Sequence, residues 1–381
     1  MYAVSKTWAT AQDSFLAPEG LIEISCYVPA LKNTLVYTKK DLLSFTHQQT
    51  GSLVSGELPK NHIEFSLDNS DGKWNPSNPK GIERYLTERL KVTLRYGCLI
   101  DGIETWIPGG VFYLSEWRTS PNGLEAKFVA RDVLEYMIDT PYTGKVSGTL
   151  YDIAKRAIAE ANIPAAAILG QIVLGETVLG VVSVSEKLKK YTVGDIEYKG
   201  NESVAVILQK CANAAGCVMY QGRGGVLVIA EPSYADTGYV IPRKLSYAYP
   251  EIEFSRPMKD VSVTHYGNAV TVYTLSNTGE TQTLSNDFIK SKGQAYSIAK
   301  WISDSLRSRQ KISGDFRGDP RFDLFDVVSV QSKYGTIAGV VLTDIKCVFT
   351  GAFRVTYSGY IRGGDETVSA YCGEVFTGEV I

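Results

Sequence analysis

With 381 residues, 44% of them hydrophobic and 21% charged, the chain is sized for two or three folded domains and is too apolar for extensive disorder. A net charge of −2 excludes bulk attraction to nucleic acid or to an anionic membrane. No uninterrupted apolar run reaches the ~18 residues of a membrane-spanning helix, and 23 Tyr with 35 Gly favour strands joined by turns.

The opening Met-Tyr-Ala-Val-Ser-Lys-Thr-Trp lacks the basic and apolar regions of a secretory signal, so no membrane anchor is expected there. Residues 21–28 alternate, with Ile22, Ile24, Cys26 and Val28 on one face, and residues 63–67, 90–96 and 124–130 repeat the period. Asn69-Ser70-Asp71-Gly72, Asp101-Gly102, Pro108-Gly109-Gly110 and Pro121-Asn122-Gly123 punctuate them as turns. Residues 1–145 are therefore expected to form a first β-barrel.

The pattern changes at Leu150. Leu150, Ile153, Ala154, Ala157, Ile158 and Ala161 make one helical face, Thr149 with Asp152 resembles a capping box, and Pro164 is the expected stop. Val204, Ile207, Leu208, Cys211 and Ala212 mark a second helix over 202–215, ended by Gly216. Residues 217–220 and 226–229 flank Gln221-Gly222-Arg223-Gly224-Gly225 as a hairpin. Residues 146–240 thus read as an α+β insert. In residues 241–381, expected as a second β-barrel, strands over 261–266, 269–275, 327–331, 337–345 and 353–361 surround a helix near 287–309. Ile63-Glu64-Phe65-Ser66 returns as Ile252-Glu253-Phe254-Ser255, a faint echo suited to two related barrels. The expected fold class is mainly β with an α+β insert, two barrels being related by pseudo-symmetry.

Catalytic chemistry is sparsely encoded. His47, His62 and His265 stand apart, without the spacing of metal ligands, and read as ordinary strand or surface residues. Cys26, Cys98, Cys211, Cys217, Cys347 and Cys372 are scattered without CxxC spacing and are expected as reduced thiols. The GxSxG elbow and the GxxxxGK[ST] phosphate loop are absent, and the glycines around Arg223 join strands rather than opening a helix. Asp68, Asp71, Asp132, Glu135, Asp315, Asp319, Asp323 and Asp326 are the carboxylates a glycosidase could draw on, yet pairs of this kind arise by chance among 41 acidic residues. Residues 68–72 resemble a calcium loop but lack its alternating ligands and terminal Glu; an Asx turn is the plainer reading. No catalytic, cofactor-binding or metal site is expected, and no cofactor. Trp74, Trp106 and Trp117 are the candidates for a sugar-binding surface, and they are expected to pack in the barrel instead.

One order of motifs runs through the chain: residues 63–67, the acidic Asn-rich turn 68–76, Val92-Thr93-Leu94-Arg95-Tyr96-Gly97, Gly110-Val111-Phe112-Tyr113-Leu114 and Ala130-Arg131-Asp132-Val133-Leu134. Gly318-Asp319-Pro320 follows, leading to Asp326-Val327-Val328-Ser329-Val330. This order resembles the tail (baseplate) hub proteins of bacteriophages and related contractile particles, and the helical middle matches their inserted domains in position and length. The resemblance implies a homotrimer whose two barrels per chain form a ring of pseudo-sixfold symmetry, joining a sixfold tail tube to a threefold tip. Its implied partners are a second and third copy, a tail-tube or distal tail protein, and a spike, tip or fibre protein. Contacts to a tape-measure protein and to passing DNA, without sequence specificity, would line the channel. It implies a virion protein assembled in the host bacterial cytoplasm and no enzyme. Any lytic or receptor-binding role is expected on another polypeptide, since the sequence stops at Ile381. The alternatives are a carbohydrate-active or peptidoglycan-degrading tail enzyme and a receptor- or sugar-binding tail module.

Overall fold

The computed structural model describes residues 1–14, 18–161, 163, 177–179, 182–234, 236–308 and 310–362. Pro164, Cys372 and the last residues of the sequence lie outside them.

The first β unit opens with helix α1 (Lys6–Asp13), capped by the Ser5 hydroxyl, which accepts from the Trp8 N–H and sets Trp8 fully into the core. Strands β1 (Glu19–Val28), β2 (Asn33–Thr38), β3 (Leu42–Thr50), β4 (Lys60–Asp68), β5 (Lys91–Ile100), β6 (Ile103–Thr119) and β7 (Glu125–Arg131) follow. The expected alternation holds: Ile63, Phe65 and Leu67 on β4 and Ala126, Phe128 and Ala130 on β7 point inward.

In the middle, β8 (Pro141–Thr149) leads into α2 (Leu150–Glu160), whose capping box between Thr149 and Asp152 forms as expected. Short strands β9 (Thr177–Leu179) and β10 (Val182–Val184), then β11 (Thr192–Ser203), α3 (Val204–Ala214), β12 (Val218–Gln221) and β13 (Leu227–Ala230) complete it. The last part holds β14 (Asp236–Ile241), β15 (Glu251–Phe254), β16 (Met258–His265), β17 (Ala269–Thr274), β18 (Glu280–Ser285), α4 (Lys292–Leu306), β19 (Gln310–Arg317), β20 (Val327–Gln331), β21 (Thr336–Phe349) and β22 (Phe353–Ile361). Helix α4 starts later than the expected 287, because Asp287 and Phe288 form a turn closed on Asn286, with Phe288 and Ile289 buried, before the Ser291 cap.

Most strands belong to one large sheet of order β15-β19-β22-β21-β3-β4-β7-β6-β5-β1-β2, with β20 joining β21 to β14. It contains an internal repeat. The order β3-β4-β7-β6-β5 recurs as β15-β19-β22-β21-β20, every pair antiparallel. Each copy has a bulge at the same place, at Leu114-Ser115-Glu116 in β6 and at Leu342-Thr343-Asp344 in β21. The next residues match in kind, Trp117-Arg118 against Ile345-Lys346. This alignment puts Ile312, not Ile252, in the place of Ile63, and Ile252 in the place of His47. The tetrapeptide echo thus falls on strands that are not equivalent, and it reflects only the shared alternation of short strands.

The two copies are joined by β3 pairing with β21, Gln48 opposite Lys346 and Gln49 opposite Ile345. One core runs beneath the joint, where the Tyr96 ring meets Phe353 edge-on at 5.5 Å. A second core gathers α2, α3 and α4 with Val261 and Val263 of β16, so the three-stranded sheet β17-β16-β18 packs with the middle elements.

Candidate functional site

The candidate residues resolve into turns, buried bonds and one junction. His47 lies in the joint: Tyr96 O–H donates to its Nδ1 at 2.6 Å and its Nε2–H donates to Asn61 Oδ1 at 2.8 Å. Burial pushes its pKa down to about 3, so the ring is a neutral core member. His62 faces Glu64 on the surface of β4, and buried His265 bonds Thr271 across the β16–β17 pair. The structure does not bring the three together.

The acidic turn folds back on its own backbone. Asp68, Asp71, Asn75 and Asn78 each accept an N–H from two residues ahead. Asn69, buried, donates to Gly123 O and accepts from Trp74 N–H, each at 2.8 Å. Trp74 is thereby held between Tyr37 and Phe128. Trp106 lies half-buried under the Arg95 guanidinium, over Gly97, where a Cβ would come 2.6 Å from the ring. Trp117, also half-buried, donates to Glu83.

The remaining carboxylates are also engaged. Asp132 caps a short 3-10 turn through Leu134 N–H, and burial lifts its pKa to about 7. Glu135 takes Ser115 O–H and faces Arg131. Asp315 is held by Arg354 and Thr356 on the surface. Asp319 and Arg321 form a buried ion pair that shapes the Gly318-Asp319-Pro320 turn. Among the described residues no cluster of three His, Cys, Asp or Glu is placed to hold a metal, and none of the described cysteines, all buried, is in a disulfide.

The Gly-rich hairpin tip, legible only as a turn, is a junction. Arg223, 8% exposed, donates to Asp323 at 2.6 Å, Pro108 O at 2.9 Å, Pro320 O at 2.7 Å and Phe322 O at 2.9 Å. One guanidinium therefore ties β6, the middle hairpin and the loop before β20. Gly225 permits the approach: its φ is +78° and a Cβ would lie 2.6 Å from Val111 Cβ. Tyr247, Tyr249, Ile252 and Phe254 form a group of exposed apolar side chains at the end of the sheet that was not legible in the sequence. Its signal was the alternation of Ile252-Glu253-Phe254 on a strand whose burial pattern is exposed throughout.

No family model and no curated protein matches the sequence. Solved structures do match. A tail protein from Neisseria meningitidis MC58 is similar at 14% identity, over 91% of this chain and 97% of that one, with a TM-score of 0.59. The 43 kDa tail protein of prophage MuSo2 from Shewanella oneidensis is similar at 12% identity, over 90% and 98%, with a TM-score of 0.60. A chain of the Francisella PdpA–VgrG complex is similar at 10% identity, over 90% of this chain and 58% of that one, with a TM-score of 0.52. The chain shares its fold with these phage-type tail proteins, in line with the order of its sequence motifs.

Proposed function

We propose that this chain is a structural tail protein, a trimeric hub that adapts a sixfold tail tube to a threefold tip or spike and lines the channel for the genome. The observation that carries this reading is the internal repeat: two equivalent β units on one chain give three chains six similar faces. The polar residues a hydrolase or sugar-binding module would need are instead occupied in turns, ion pairs and the Arg223 junction. The proposed partners are two further copies, a tail-tube or distal tail protein, a spike, tip or fibre protein, and a tape-measure protein with passing DNA. Its proposed place is the virion tail, assembled in the host cytoplasm. The division into 1–145, 146–240 and 241–381 is proposed for the folding units, with residues 258–306 docked on the middle core.

Mass measurement with low-resolution imaging of the purified protein tests the reading. Trimers or rings with a central hole are expected; a monomer at high concentration, unchanged by tube or spike proteins, would overturn it.

A further inference from the structure

The repeat has a joint inside the chain and, at its other end, an open edge. Strand β3, the first strand of the first copy, pairs with the second half of β21. Its counterpart β15 pairs with β19 on one side and with no described strand on the other. The counterpart of β21 is β6. There β5 begins at Lys91, opposite Tyr113, and the preceding Arg89 and Leu90 carry the backbone pairing only as far as Leu114, so residues 115–119 have β7 on one side and, among the described residues, no backbone partner on the other. The loop before β5 touches this stretch only through side chains, Trp117 to Glu83 and Thr119 to Trp74 O.

We infer that β15 of one copy pairs antiparallel with residues 116–120 of β6 and its following residue in the next copy, repeating between chains the β3–β21 joint made within each. The register follows from the alignment by bulges. Gln48 faces Lys346 and Gln49 faces Ile345 in the joint. Their counterparts set Glu253 opposite Arg118, Phe254 opposite Trp117 and Ile252 opposite Thr119 of the neighbouring copy. The residues suit these places. Glu253 meets a cation, and Arg118, whose own cross-strand neighbour on β7 is Lys127, meets an anion. Phe254 meets an indole, an aromatic pair of the kind that stabilises sheets.

Burial points the same way. In the joint His47 and Gln49 are 3% and 8% exposed, whereas their counterparts Ile252 and Phe254 are 40% and 61% exposed. Two apolar side chains thus stand in water where the equivalent polar ones are covered, the reverse of what a free edge favours. A β6 from a second copy supplies the missing cover. Because the two partners are different strands, the contact is head-to-tail and closes only as a ring. The inference rests on the hub reading for the number of copies in that ring, not for the pairing.

Two measurements test pairing and ring separately. Glu253→Arg and Arg118→Glu, each on an exposed side chain, are expected to weaken self-association roughly tenfold or more, and the double reversal to recover most of it. In a Cys372→Ser background, Glu253→Cys mixed with Arg118→Cys is expected to give a disulfide-linked pair on mild oxidation that neither gives alone. Cross-linking with a trimer mass supports both readings. Cross-linking at another stoichiometry keeps the pairing and removes the trimer. A trimer with no cross-link, indifferent to charge reversal, overturns the pairing and keeps the trimer. A monomer that neither cross-links nor responds to reversal overturns both.

Discussion

The two β units share a strand order and a bulge, yet their first strands live differently. β3 is an interior strand carrying His47 and Gln49 into the core, and β15, an edge strand among the described residues, leaves Ile252 and Phe254 exposed. What a position can hold is thus set by the neighbour across the ladder as much as by the strand itself. The interior joint also has a support that the open edge lacks, the Arg223 junction that binds β6 to the loop before β20.

The largest effect is expected at that junction. Arg223→Ala strips Asp323 and three carbonyls of their donor and should cost about 4 kcal/mol in urea denaturation. A loss below about 1 kcal/mol would mean that the packing of Gly225 on Val111 holds the hairpin alone. Next, equivalent residues should respond unequally. Ile345→Ala, 4% exposed inside the joint, should cost about 3 kcal/mol, and Trp117→Ala less than about 1 kcal/mol in chains dissociated by charge reversal at Glu253. Equal losses would erase the distinction between closed joint and open edge.

A smaller effect is expected from pH, where two buried groups of the first unit act oppositely. The folded Asp132 carboxyl keeps its proton up to about pH 7, whereas an unfolded one loses it near pH ~4. The folded state therefore loses stability as pH rises through that window. Asp132→Asn, which keeps an acceptor for Leu134 N–H, should gain on the wild type by of order 2 kcal/mol between pH 4.5 and pH 8. A constant difference across that range would show that Asp132 does not titrate there. His47 works the other way: the folded ring resists protonation down to about 3, so its contribution is present above pH ~6.5 and is lost as pH falls below it.

Much of the fold was legible. Alternation in 63–67 and 124–130, the stripe from Leu150 and the Thr149–Asp152 box all became the elements they suggested. Strand β3 was not, because Ser44-Phe45-Thr46-His47-Gln48-Gln49 has too few apolar residues to show a period. The functional residues were the hardest to see: Arg223 lay in a plain hairpin tip, and Glu253 and Phe254 within an echo that proved to join strands that are not equivalent.

By itself the sequence determined the periods: which segments are strands or helices, which faces are apolar, and where glycine and asparagine turn the chain. Those are local properties, set by side-chain spacing and backbone stereochemistry. Only the tertiary structure decided the neighbours. That Gln48 lies against Lys346, that Arg223 reaches Pro108 and Phe322, and that β15 has no second partner strand among the described residues are facts of pairing between distant segments, which no local period records. The abundance of strands in this chain thus resolves into edges: one is closed within the chain, and its counterpart has no partner strand among the described residues.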